Sequence, residues 1–207
     1  MMGLSMPRDH RHVIRPPAGL PLPSIRSSKN ICMKVLIIYG STEGQTRKIA
    51  SFLKEEAEKR GHQVTLSDAT DNPPALTAGY DLVLIGASVH AHKYQTAVSH
   101  YIKSNAGVLN KTRSGFFSVS LAAAGDDTED WKELNEITNA LLEETGWKPA
   151  HIEQVAGALR YTQYDFFKKF IMRLIAKRHG RPADTSGDYE YTDWAKLKVF
   201  LEKMLKN

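Results

Sequence analysis

The chain holds a single cysteine, Cys32, in 207 residues. That excludes an internal disulfide framework and points to a reducing compartment, the cytoplasm. No apolar run approaches the roughly 18 residues of a transmembrane helix, and residues 1–32 lack the hydrophobic segment of a secretory signal. His90 and His92 are spaced H-x-H, yet no further Cys, His or carboxylate cluster accompanies them, so no metal site is expected. An evenly spread positive charge is also missing. The formal net charge is +5, but Arg8, Arg11, Arg15, Arg26 and Lys29 face only Asp9 in the first 32 residues. A second concentration lies over 160–188, where Arg160, Lys168, Lys169, Arg173, Lys177, Arg178 and Arg181 outnumber Asp165, Asp184 and Asp188. Basicity confined to a tail and one segment suits a local anionic surface or ligand and argues against a nucleic-acid partner.

The chain is organised around residues 33–50. Val35-Leu36-Ile37-Ile38-Tyr39 is a continuous, β-branched apolar run, the pattern of a strand buried on both faces. It leads into Ser41-Thr42-Glu43-Gly44-Gln45-Thr46 and then into a helical period. A strand, a tight polar turn and a helix present unpaired backbone N–H groups to a phosphate, and Ser41, Thr42 and Thr46 add hydroxyl donors. The turn has no lysine and is not G-x-G-x-x-G, which disfavours a nucleotide triphosphatase loop and a dinucleotide loop alike. An N-cap hydroxyl would explain one of the three hydroxyls and leave the others unexplained.

Residues 1–32, with five prolines and no apolar period, read as a disordered extension ahead of a domain over 33–207. Helices are expected over 47–60, 96–104, 128–145 and 194–205, with Gly61 and Gly146 closing the first and third. Strands are expected over 63–66, 81–87, 115–121 and 154–159. Alternating strands and helices predict an α/β fold, a doubly wound five-stranded parallel sheet. In such sheets ligands bind beyond the carboxyl ends of the strands at the switch point. Three loops should meet there: Ser41 to Thr46; Ser88, Val89, His90 and Tyr94; and Ser120, Leu121, Ala122, Ala123 and Gly125. The first would hold phosphate, the others would flank a flat ring, and Tyr94 is a candidate either to stack on that ring or to support the groups that touch it. The alanine-rich loop supplies no bulky aromatic cover, which leaves one ring face open.

The turn Ser41 to Thr46 resembles the first loop of the flavodoxins, [ST]-x-T-G-x-T, although Glu43 and Gly44 stand where that family often has threonine and glycine. The resemblance implies a flavodoxin-like fold and FMN as cofactor. Four segments in order narrow it: GQTRKIA at 44–50, IGAS at 85–88, AGALRY at 156–161 and YTDW at 191–194. Together with a long insertion near the last strand, about 160–192, they resemble the HemG-type protoporphyrinogen oxidases, flavodoxin-like and quinone-dependent. That resemblance implies oxidation of protoporphyrinogen IX to protoporphyrin IX in heme biosynthesis. Electrons would pass to a membrane quinone (menaquinone or ubiquinone) at the inner face of the cell membrane.

Within the insertion, Phe166, Phe167, Phe170, Ile171, Leu174 and Ile175 share a helical stripe flanked by basic residues. Such a segment reads as membrane-surface or partner-binding, or as an ordinary packed helix with a solvated face. Arg160, Tyr161, Lys168, Lys169, Arg173, Lys177 and Arg178 are the candidates for contact with substrate carboxylates or an anionic membrane surface. The chemistry would be the cofactor's, with no protein base singled out. A homo-oligomer is compatible with the pattern. Two rivals stand beside this reading: another flavodoxin-fold quinone oxidoreductase, and a flavodoxin electron carrier, though carriers are commonly acidic.

Overall fold

The computed structural model describes residues 32–76, 79–159 and 189–206, within a compact unit running Ile31–Asn207. The apolar run at its start becomes β1 (Lys34–Gly40), with β2 (Gln63–Asp68) on one side and β3 (Leu82–Ser88) on the other. Beyond β3 lie β4 (Arg113–Ser120) and β5 (His151–Ala156). Every pairing in this sheet is parallel, in the order β2-β1-β3-β4-β5. The doubly wound sheet read from the sequence is the sheet that forms.

Period-two alternation divides the core between the two faces. Val35, Ile37 and Tyr39 pack with Ile49 and Leu53 of α1 (Gln45–Lys59) and with Leu197, Phe200 and Leu201 of α4 (Trp194–Leu205). Leu36 and Ile38 pack on the opposite face with Val98 and Ile102 of α2 (Thr96–Leu109) and Leu141 of α3 (Thr128–Thr145). Apart from their end residues Lys34, Ser88 and Arg113, the central strands are buried on both faces, which is why they read as apolar runs. Helix ends follow local chemistry. Gly61, at φ 85°, closes α1 with its N–H on Glu58 O and that of His62 on Ala57 O. Asp127 and Asp193 cap α3 and α4.

Two expectations are corrected. Helix α2 continues past 104 to Leu109, because Leu109 is buried and holds the last turn against the core. The last strand is not 154–159 but His151–Ala156. Its polar start escapes periodicity because β5 is an edge strand, where His151 and Glu153 stay partly exposed. After Gly157 the chain leaves the sheet. Ala158–Leu159 (β6) pairs antiparallel with Tyr189–Glu190 (β7), so the two ends of the insertion meet in a short stem.

Helices α1 and α4 are also tied by a carboxylate. Glu56, 7% exposed, accepts from Lys59 Nζ at 2.9 Å and Arg60 Nη1 at 3.0 Å, and Arg60 Nη2 reaches Glu202 Oε1 on α4 at 3.2 Å. The hydrogen bonds from Lys59 and Arg60 hold its carboxyl at about 2, against an ordinary 4.5, outweighing the opposing effect of burial. A depressed folded value means that the stabilisation is present above pH 4.5 and lost as pH falls toward 2. Urea midpoints of the parent chain should therefore fall more steeply across that window than those of Glu56→Gln. Parallel slopes would show that the carboxylate does not hold the helices together.

Candidate functional site

The carboxyl ends of β1, β3, β4 and β5 open onto one cleft of about 480 Å³, mouth included. It lies where the chain order reverses, since β1 is followed by β2 on one side and β3 on the other. Ser41, Thr42, Glu43, Gln45 and Thr46 line it from the turn after β1. Ser88, Val89 and His90 line it from the end of β3, Ser120 and Leu121 from the end of β4. The structure thus brings together residues of all three predicted loops.

The turn after β1 gathers neutral hydrogen-bond donors. Gly44 sits at φ 89°, a left-handed conformation that spares glycine a Cβ penalty, and its N–H donates to Ser41 Oγ at 3.0 Å. Helix α1 starts at the next residue with no side-chain cap, so its first-turn N–H groups and the positive end of its dipole lack the usual acceptor. Thr46 is 1% exposed, and its Oγ1 is buried with no hydrogen-bond partner. An unpaired buried hydroxyl costs roughly 1–3 kcal/mol, a penalty that a ligand acceptor would remove. Among the described lining residues there is no Lys or Arg. The donor set is neutral hydroxyls and amides, and it fits the phosphate of a mononucleotide such as FMN.

The walls beyond the turn suit a flat apolar ring. Val89, Val119, Leu121 and Ala158 line the cleft, and no Phe, Tyr or Trp does so among the described residues. The rim after β3 is a tight turn: His90 N–H donates to Lys93 O at 2.9 Å and Lys93 N–H returns to His90 O at 3.1 Å. Ala91 and His92 between them hold φ of 48° and 61°, a left-handed pair that costs non-glycine residues of order 1–3 kcal/mol each. His92 Nδ1 meets Glu133 Oε1 on α3, which braces this turn.

Several sequence candidates sit elsewhere. Tyr94 is not a stacking group: its ring is buried edge-on to Phe116. Its hydroxyl donates to Ser118 Oγ at 2.8 Å and lies 2.8 Å from Thr138 Oγ1. Burial pushes its pKa up despite those two bonds. Ala122, Ala123 and Gly125 also miss the cleft. Ala122–Ala124 is a 3-10 turn, the Gly125 carbonyl accepts from Trp131 Nε1 at 2.9 Å, and Ala123 borders a separate recess beside Trp131 and β5. Gly44 acts through its backbone shape. Arg160, Tyr161, Lys168, Lys169, Arg173, Lys177 and Arg178 lie outside the described residues.

Sequence reasoning missed Val119, Gly157, Ala158 and Gln95. Gly157 and Ala158 had a usable signal, being small residues just past a strand end. Gln95 had none. It begins α2 without capping it. Its side chain crosses instead to the cleft, where Nε2 donates to Thr42 Oγ1 at 2.9 Å and to Ser88 Oγ.

The base of the insertion is fastened to the same turn. Gln45 Nε2 donates to Thr192 Oγ1 at 2.8 Å, and Thr192 Oγ1 donates to Ala156 O at 2.8 Å. Tyr191 N–H donates to Gly157 O at 3.1 Å. Lys48 pairs with Glu190, which also accepts from Trp194 Nε1 at 2.8 Å. Burial opposes ionisation of Glu190, but Lys48 and Trp194 outweigh it and leave its carboxyl below the ordinary value. Three of the four segments that carry the sequence resemblance, GQTRKIA, AGALRY and YTDW, therefore meet at one place.

Comparison with known proteins agrees with this architecture. The flavodoxin domain family matches residues 36–186. The chain is 33% identical over 172 residues to protoporphyrinogen IX dehydrogenase [quinone] of Escherichia coli K12, covering 83% of this chain and 94% of that protein. It is 31% identical over 168 residues to the protein of that name from Leishmania major, covering 81% and 72% respectively. Among solved structures, oxidised flavodoxin 1 of Bacillus cereus superposes with a TM-score of 0.52 at 15% identity, over 84% of this chain and 98% of that one.

Proposed function

The chain belongs to the flavodoxin domain family, alongside the protoporphyrinogen IX dehydrogenases [quinone], and on that premise we propose that it is an FMN-dependent enzyme of heme biosynthesis. It oxidises protoporphyrinogen IX to protoporphyrin IX and passes the electrons to a membrane quinone. The balance is one porphyrinogen and three quinones to one porphyrin and three quinols, with six hydrogens transferred. The observation that carries the reading is a phosphate cradle whose helix, through Gln45 and Lys48, also holds the base of the insertion. The stem of the insertion, Ala158–Leu159 with Tyr189–Glu190, thus stands beside the turn assigned to the cofactor.

The roles divide by chemistry. Ser41, Thr42, Thr46 and the backbone of the 41–46 turn would hold the FMN phosphate, and Val89, Leu121 and Ala158 would close on its ring. Bound there, FMN supplies the two-electron redox chemistry, so no protein nucleophile is needed. Arg160 and the basic residues of 168–178 have the chemistry to pair with the two propionates of the porphyrinogen and with anionic headgroups. No helix among the described residues is long and apolar enough to cross a bilayer. Access to a lipid-soluble quinone would come from peripheral attachment to the inner membrane face, through the basic and aromatic residues of 160–178.

The test is anaerobic mixing of FMN-loaded protein with protoporphyrinogen IX on vesicles carrying a menaquinone analogue, followed by porphyrin fluorescence. Porphyrin should accumulate with turnover, and only when quinone is present. A loaded protein that cycles with other donors but leaves the porphyrinogen untouched would be a different quinone reductase or an electron carrier.

A further inference from the structure

Gln95 is a connection that no sequence pattern announces. Its single amide nitrogen donates to two hydroxyl oxygens on different strand ends, Thr42 Oγ1 and Ser88 Oγ. Both hydroxyls line the cleft. A primary amide has two N–H donors, and here both are spent on those oxygens. Each hydroxyl therefore acts as an acceptor toward Gln95, and its one hydrogen remains to be donated elsewhere. The cleft is where both groups are exposed to a ligand. The carbonyl end of the amide, Oε1, is buried without a partner, facing the end of β1 where a Cβ on Gly40 would come within 3.1 Å of it. Burying an acceptor unsatisfied has a cost, and the arrangement that bears it keeps the positive end of the amide dipole toward the cleft.

We infer that Gln95 is a positioning residue that sets the hydrogen-bond polarity of the anion site, turning Thr42 and Ser88 into donors toward the phosphate of the cofactor. This rests on the FMN reading above. With the amide donating, the two hydroxyls extend the donor set of the first turn of α1 and of Thr46. With a carboxylate in its place the same hydroxyls would donate backward, and a negative charge would stand behind them. The cleft has no Lys or Arg among its described residues to offset that charge, so donor polarity supplies what a cation supplies in other phosphate sites.

The experiment compares FMN with riboflavin, which carries the same ring and ribityl chain without phosphate, by quenching of flavin fluorescence. The parent chain should bind FMN more tightly. In Gln95→Glu the Kd for FMN should rise by about 100-fold while that for riboflavin moves by no more than about 3-fold, since the change acts on an anion. Gln95→Met, close in volume and without donors, should cost FMN about 10-fold, the scale of one lost polar contact. Ser88→Ala guards against a Gln95 variant that fails to fold, and it too should narrow the preference for FMN. Equal weakening of both flavins in the Gln95 variants would make Gln95 a mere brace between loops and overturn the inference. A parent chain with no preference for FMN would overturn the cofactor reading and this inference with it. A preference that survives in Gln95→Glu would leave the cofactor reading standing and remove the polarity assignment alone.

Discussion

Thr46→Val should stabilise the cofactor-free protein and release its cofactor. Valine matches the shape of threonine, and position 46 is 1% exposed, so packing is preserved. The lost Oγ1 has no hydrogen-bond partner, and removing an unsatisfied buried hydroxyl should return about 1 kcal/mol. In a domain of this size that raises Tm by roughly 2–4 °C. The holo form should move the other way. A hydroxyl donating to a phosphate is worth about 1.5–3 kcal/mol, so Kd for FMN should rise by roughly 10- to 100-fold. Opposite signs in the two measurements are the signature of a hydroxyl kept for a ligand. If the substitution instead lowers Tm of the cofactor-free protein and leaves FMN affinity intact, Thr46 is bonded within the fold and the phosphate lies elsewhere.

Gly86→Ala should be among the most damaging single methyl additions in the sheet. Gly86 on β3 stands opposite Phe117 on β4, and a Cβ there would lie 2.0 Å from two ring carbons, Cε2 and Cζ. Phe117 is fully buried, so its ring cannot swing into solvent to make room. Overpacking of this kind costs typically 1–3 kcal/mol, and contact at 2.0 Å belongs at or beyond the upper end of that range. The cost should be visible in urea midpoints and recovered in part by Phe117→Leu, which removes ring atoms from the point of collision. Gly86→Ala with Phe117→Leu should be more stable than the sum of the single effects implies, by an interaction energy of about 1 kcal/mol or more. Strict additivity would mean that the backbone at 86, not the ring, sets the requirement for glycine. Because β3 ends at Ser88, one of the cleft hydroxyls, the alanine variant should also loosen FMN binding.

The two predictions mark the boundary between local and distant causes. That the turn at Ser41 to Thr46 lines the cleft was legible in the sequence, because it lies between a buried strand and a helix at the carboxyl end of the sheet. The central strands were legible because the interiors of β1, β3 and β4 are buried on both faces, and largely apolar runs follow. Helix ends at Gly61 and Gly146 rest on backbone conformations that glycine adopts without cost. The start of edge strand β5 was misjudged because all but one of its residues stay partly exposed, which erases the apolar signal. Of the two roles open to Tyr94, stacking is excluded, because its position after a strand says nothing about the direction of its ring, and Ser118 and Thr138 turn it inward.

The chain therefore carries its fold and the hydroxyl-rich turn after β1 in short-range patterns, since periodicity and turn chemistry act over a few residues. The partners across the sheet are decided by pairing register and helix packing: Phe117 above Gly86, Gln95 between Thr42 and Ser88, and Gln45 joined to Thr192. Such contacts link residues far apart in the chain. No local pattern encodes them, because they exist only once parallel strands have been brought side by side and their carboxyl ends share one rim.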